Sequence, residues 1–129
     1  MTYTHTIDTA QHQLIVTVTG SITLPDSLQA IRDLIDLPEF EPDFDVLMDV
    51  RKMSFAMTSR DARAIAMLLV SHKEKIKGRV AVVVSTPLHY GMVRLVGTVA
   101  GLHEFHNLRP FFDYHTAAQW LEAHHTPGQ

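Results

Sequence analysis

The sequence contains no cysteine. That absence removes disulfides, thiol nucleophiles and zinc–thiolate sites together, and it fits a reducing, cytoplasmic setting. Long apolar runs are missing too. The longest, residues 64–70 and 80–84, fall far short of the roughly 20 residues a membrane-spanning helix needs, so no transmembrane segment is expected. The first seven residues are polar and alternating, without the apolar core of a signal peptide. Nor is there a large charge excess: the formal net charge is −3, which gives no overall pull towards nucleic acid. The basic stretch 73–79 lacks interleaved aromatics to stack bases and reads as a solvated helix end. There is no Gly-x-Ser-x-Gly elbow, no Walker loop and no Gly-x-Gly-x-x-Gly, so neither catalysis nor a nucleotide cofactor is expected. Ser85, His89 and Asp49 could approach one another in space, but no sequence pattern casts them as nucleophile, base and orienter.

What is present is enough for one core. With 129 residues, 46% hydrophobic and 19% charged, the chain suits a single domain over residues 1–124, followed by a short frayed tail at 125–129. Residues 3–7 alternate, with Tyr3, His5 and Ile7 on one face. Residues 13–19 alternate again through Leu14, Val16 and Val18, so the two runs should form an antiparallel pair. Pro25 and Asp26 open a helix whose stripe is Leu28, Ile31 and Ile35, and Pro38 stops it. Residues 44–50 and 79–85 are nearly continuous apolar runs, the pattern of strands covered on both faces and paired in parallel.

Between those strands a helix is expected over about residues 59–76. Thr58 and Asp61 form its capping box, Ala62, Ile65, Ala66, Leu69 and Ile76 its stripe, and Gly78 its end, with Lys73, Lys75 and Lys77 at the negative pole. A second helix over about 88–102 turns Met92, Leu95, Val96, Val99 and Leu102 inward. Residues 109–114 suit an edge strand, because Pro110 has no N–H for a ladder. Thr116 and Gln119 cap a last helix carrying Ala117, Trp120 and Leu121. The expected fold is α/β: a mixed sheet of about five strands, the first pair antiparallel and the rest largely parallel, with four helices in the order β-β-α-β-α-β-α-β-α.

In an open parallel sheet, ligands gather beyond the carboxyl ends of the strands. The loops there, 51–58 and 86–89, should bring Asp49, Ser54, Thr58, Ser59, Ser85, Thr86, His89 and Tyr90 together. Each has a plain reading beside a functional one. The hydroxyls of Thr58 and Ser59 suit helix caps, or a phospho-acceptor or anion site at the positive end of a helix dipole. Asp49 could read a ligand, or hydrogen-bond the loop that follows it. Met53, Phe55 and Met57 are either a loop folded into the core or a flexible apolar lid. Met67, Leu68 and Val70 widen one helix face, explained by a covering loop or by a homodimer contact. The histidine pairs in His103-Glu104-Phe105-His106 and His124-His125 invite a metal, but neither pair brings a convincing third ligand, so none is expected.

The order of elements resembles the STAS fold of bacterial anti-sigma-factor antagonists and anion-transporter tails, and within it the SpoIIAA-like branch. The resemblance is carried by Val46-Leu47-Met48-Asp49-Val50-Arg51, by Val82-Val83-Val84-Ser85 running into Tyr90-Gly91-Met92-Val93-Arg94, and by Phe112-Asp113-Tyr114 with Ala118-Gln119-Trp120-Leu121. It spans nearly the whole chain. It implies a non-enzymatic regulatory module that docks a protein partner, such as a kinase-type anti-sigma factor, near Thr58. In the antagonists a serine in an Asp-Ser-Ser-Gly-like motif is phosphorylated; this chain reads Met57-Thr58-Ser59-Arg60, with methionine for the acid and arginine for the glycine. The SpoIIAA-like branch is also related to lipid-carrying Sec14-type domains. That implies the alternative of a carrier or sensor of a small apolar, lipid-like ligand, held between residues 53–57 and the helix starting near Leu88, with peripheral membrane association.

Overall fold

Alternation at the start of the chain produces a hairpin. Strand β1 (Thr2–Asp8) pairs antiparallel with β2 (Gln13–Ser21), setting Tyr3, His5 and Ile7 opposite the buried Val18, Val16 and Leu14. The computed structural model describes residues 2–123. The expected frayed tail, with His125, and His124 before it lie outside the described residues. From β2 onward the pairing is parallel, through β3 (Asp45–Ser54), β4 (Val80–Val83) and β5 (Leu108–Phe111), so the strand order across the sheet follows the chain. Helices α1 (Leu24–Ile35), α2 (Ser59–Ser71), α3 (Pro87–Gly101) and α4 (Tyr114–Ala123) complete the expected mixed α/β order.

The helices divide unequally. Residues of α1, α2 and α3 share one core with Leu14, Val16, Val46, Val80 and Val82 on one face of the sheet. On the other face Ala117 and Leu121 of α4 pack against Leu47, Ala81, Val83 and Phe111. The central strands are therefore covered on both sides, as their unbroken apolar runs require. Arg79 fastens α4 from below: its guanidinium donates to the Trp120 carbonyl at 2.7 Å and lies 4.8 Å from the Trp120 ring centre.

The entry to β3 is pinned by a buried carboxylate. Asp45 is 1% exposed, its Oδ1 accepts the Arg79 N–H at 2.8 Å, and its own N–H donates to the His12 carbonyl at 2.9 Å. One residue, through its backbone N–H and its side chain, thus ties β3 to the chain ahead of β2 and ahead of β4.

Several boundaries differ from the sequence expectation. Helix α2 stops at Ser71, not near 76, because the Ser71 hydroxyl and the His72 ring both reach back to the Leu68 carbonyl, at 2.7 and 3.0 Å. Such bonds compete with helix continuation. A single 3-10 turn, Lys73–Lys75, follows, so the lysines do not sit in the last turn of α2. Gly78 is consequently not a helix end. It lies where the chain crosses β3, and a Cβ there would collide with the Phe44 carbonyl group and come within 2.8 Å of Asp45 Oδ1. The segment 51–54, expected as loop, continues β3, whereas the apolar run at 79–85 yields only the four-residue β4.

At the end of α3, Leu102 is 78% exposed, contrary to its expected inward place. The chain turns back at Glu104 (φ 67°), and Phe105 fills the core instead, with its N–H on the Ala100 carbonyl. Strand β5 ends at Phe111, and α4 is capped by Asp113, not by Thr116: the Asp113 carboxylate accepts both the N–H and the hydroxyl of Thr116 at 2.8 Å.

Gly78→Ala should destabilise the fold by about 3 kcal/mol or more, since the added methyl has backbone and not flexible side chain to displace. Urea unfolding measures this; a loss near zero would show that the crossing at Phe44 is not tight.

Candidate functional site

A concavity lies within the helix-covered core. An apolar cavity of about 160 Å³ lies between the sheet and the helices. The sheet supplies Val16, Val46, Met48 and Val82; α1 supplies Ala30, Ile31 and Leu34; α2 supplies Ile65 and Leu69. Its cause is the spacing of the helices. Helix α2 packs closely on α3 but touches α1 only lightly. Tyr3, Ile31, Phe40, Met53 and Met57 are half-buried, so the lining reaches the surface at those side chains.

Met53, Phe55 and Met57, singled out from their spacing, all line this cavity. What aims them there is a β-bulge. Pairing of β2 with β3 runs Thr17 with Asp49 and then Thr19 with Lys52, so β3 carries one extra residue at 50–51. Before the bulge the even-numbered Val46, Met48 and Val50 face the helices; after it the phase changes and Met53, opposite Gly20, faces them. A bulge re-aims side chains in this way. Phe55 is then held from its backbone: His89 Nε2–H donates to the Phe55 carbonyl at 3.3 Å, and Nδ1 is buried without a hydrogen-bond partner. Ser85 Oγ donates to the Arg51 carbonyl at 3.0 Å, so two residues after β4 fasten the end of β3.

The remaining expected site residues divide between different tasks. Asp49 points to the α4 side of the sheet, where both carboxylate oxygens accept from the Arg51 guanidinium, at 2.9 and 2.8 Å, and Oδ1 also accepts the Arg51 N–H at 3.1 Å. Chiefly that side-chain pairing holds its carboxyl below the usual range, against a smaller opposing effect of burial. Arg51 in turn lies 5.6 Å from the Tyr114 ring centre. Thr86 caps α3 by accepting the His89 N–H at 3.1 Å, and Tyr90 stacks on Phe112 with ring centres 4.6 Å apart. The cap at Thr58 is reciprocal: its hydroxyl accepts the Asp61 N–H at 3.2 Å, and the Asp61 carboxylate accepts the Thr58 N–H at 3.0 Å. Ser59 and Ser54 are exposed at the surface. Among the described residues no group of three or more histidines and acids is placed to hold a metal, and no helix is long and apolar enough to cross a membrane.

No protein-family model matches the sequence, and no curated protein does. Among solved structures the chain is similar to an uncharacterised protein of the DUF3478 family with a SpoIIAA-like fold from Shewanella loihica. The two align at a TM-score of 0.59 over 92% of this chain and 93% of that one. The fold is SpoIIAA-like. At 20% identity the likeness is one of fold and transfers no residue roles.

Within this SpoIIAA-like fold, the lining contributed by α1 was not foreseen from sequence. Ala30 and Leu34 fall on the core face of a helix whose apolar stripe had been placed through Leu28, which is only half-buried. The 3.6-residue period carries the signal, since residues 27, 30, 31 and 34 share one face.

The reciprocal cap makes a testable distinction between Thr58 and Ser59. Thr58→Ala should cost about 1 kcal/mol of stability, while Ser59→Ala should change it by no more than a few tenths. Urea midpoints of the two variants measure the difference; equal effects would remove the capping role from Thr58.

Proposed function

We propose that this SpoIIAA-like module is a non-enzymatic carrier or sensor of a small apolar ligand, which it holds in the cavity between the sheet and helices α1, α2 and α3. One observation carries the reading, the 160 Å³ cavity with an almost wholly apolar lining. Native interiors hold few voids larger than a water molecule. The recess opens to the surface, so an apolar ligand that fills it removes its lining from water at about 25 cal/mol per Å². A ligand that fills it restores the missing dispersion contacts. A void of about 150 Å³ lined by aliphatic and aromatic side chains is known to stay dry and admit benzene. The matching ligand chemistry here is an aromatic ring or a short length of alkyl chain, without charge.

Methionine suits the mouth of such a site. Met48, Met53 and Met57 are unbranched and polarizable, and they repack around ligands of different outline at little cost. His89 and Ser85 hold the backbone that carries two of them. The reading in which a protein partner docks at Thr58 has less support, because the Thr58 hydroxyl is committed to its cap.

Toluene and 1-octanol at saturation should raise the melting temperature of the wild-type chain. Ala30→Phe, or Val93→Phe from the facing helix, places a ring in the void. Each should raise the ligand-free melting temperature and abolish the ligand-induced rise. A wild-type chain that shows no rise with either probe, or a variant that keeps the full rise, would sink the proposal.

A further inference from the structure

The two edges of the sheet are built differently. Strand β5 is an edge made unfit for further pairing: it has four residues, and one of them is Pro110. Strand β1 is the other edge, and it has none of the usual protections. It runs for seven residues, Thr2-Tyr3-Thr4-His5-Thr6-Ile7-Asp8, without proline, lysine or arginine. Its register with β2 is unbroken, so no bulge twists the edge away. Three threonines, a tyrosine and an isoleucine make it a good strand former. Tyr3 and Ile7 lie on the core face, opposite Val18 and Leu14, yet are only half-buried.

The sequence of this edge is also self-complementary. Reversed about His5, it places Tyr3 opposite Ile7 and Thr4 opposite Thr6, with Thr2 opposite Asp8 and His5 opposite itself. Every residue meets one on the same face of the sheet, and the two apolar residues meet each other. Asp8, the one acidic residue of the strand, meets a threonine and not a second acid. A two-fold interface requires this kind of self-matching surface.

We propose that β1 pairs antiparallel with β1 of a second copy of this chain, across a two-fold axis at His5, joining two five-stranded sheets into one. The pairing satisfies the outward-facing backbone groups of β1 and brings Tyr3 of each copy against Ile7 of the other. A single strand edge buries little area, so the dimer is reversible and leaves each cavity with its own chain. The inference is independent of what the cavity holds.

His5 is exposed and makes the register testable without disturbing the fold. His5→Lys and His5→Glu each put like charges directly opposite one another across the axis, which disfavours pairing. Sedimentation equilibrium of the full chain at neutral pH should show wild type rising with concentration from 14.5 kDa towards twice that mass. Each variant alone should dissociate at least about tenfold more readily. An equimolar mixture of the two should recover the dimer, now with lysine facing glutamate, and far-ultraviolet circular dichroism should be the same for all three proteins. Wild type that stays at the single-chain mass at millimolar concentration overturns the inference. Variants that self-associate like wild type, or a mixture that stays monomeric, overturn it as well.

Discussion

The placement of β3 depends on one buried carboxylate. Asp45 accepts the Arg79 N–H while its own N–H is held by His12, and Gly78 lets the chain pass close enough for this to happen. A buried polar side chain left without a hydrogen-bond partner is destabilising, so the geometry around it is closely specified. What it specifies is register. With β3 fixed, Val46, Met48 and Val50 face the helices, and Leu47 and Asp49 face α4. A slip of one residue would exchange the two sets and put the Asp49 carboxylate into the apolar core.

The bulge at 50–51 then alters that arrangement once. Without it Met53 and Phe55 would lie on the α4 side, beside the Asp49–Arg51 pair. With it, the end of β3 bends methionine and phenylalanine side chains over the cavity, and residues following β4 hold them there by the Phe55 and Arg51 carbonyls. Several polar groups at this end of the sheet are thus occupied with structure: Thr58 and Thr86 cap helices, and His89 and Ser85 fasten a strand end.

Much of this was legible in the sequence. Alternation through Tyr3, His5 and Ile7, the valine run at 80–84 and the Thr58–Asp61 spacing are local patterns, and local patterns decide strands and caps. The order of elements and the SpoIIAA-like fold followed from them. The α2 terminus was missed because Ser71 and His72 outcompeted a periodicity that Ile76 continued by chance, as a buried loop residue. The cap of α4 went to Asp113 because a carboxylate met both groups of Thr116. The cavity had only a faint signal, the methionines near residue 53. A void is a relation between α1, α2 and the sheet, set by how far apart two helices settle, and no window of sequence encodes it.

The most direct test of the account uses the methionines themselves. Of the six, Met48, Met53 and Met57 line the cavity, while Met67 lies 40% exposed on α2. In protein labelled with carbon-13 at the methionine methyls, a benzene titration should shift the Met48, Met53 and Met57 resonances with one common saturating curve and leave Met67 in place. Resonances that do not move, or that drift linearly together with Met67, would mean that the cavity takes no ligand.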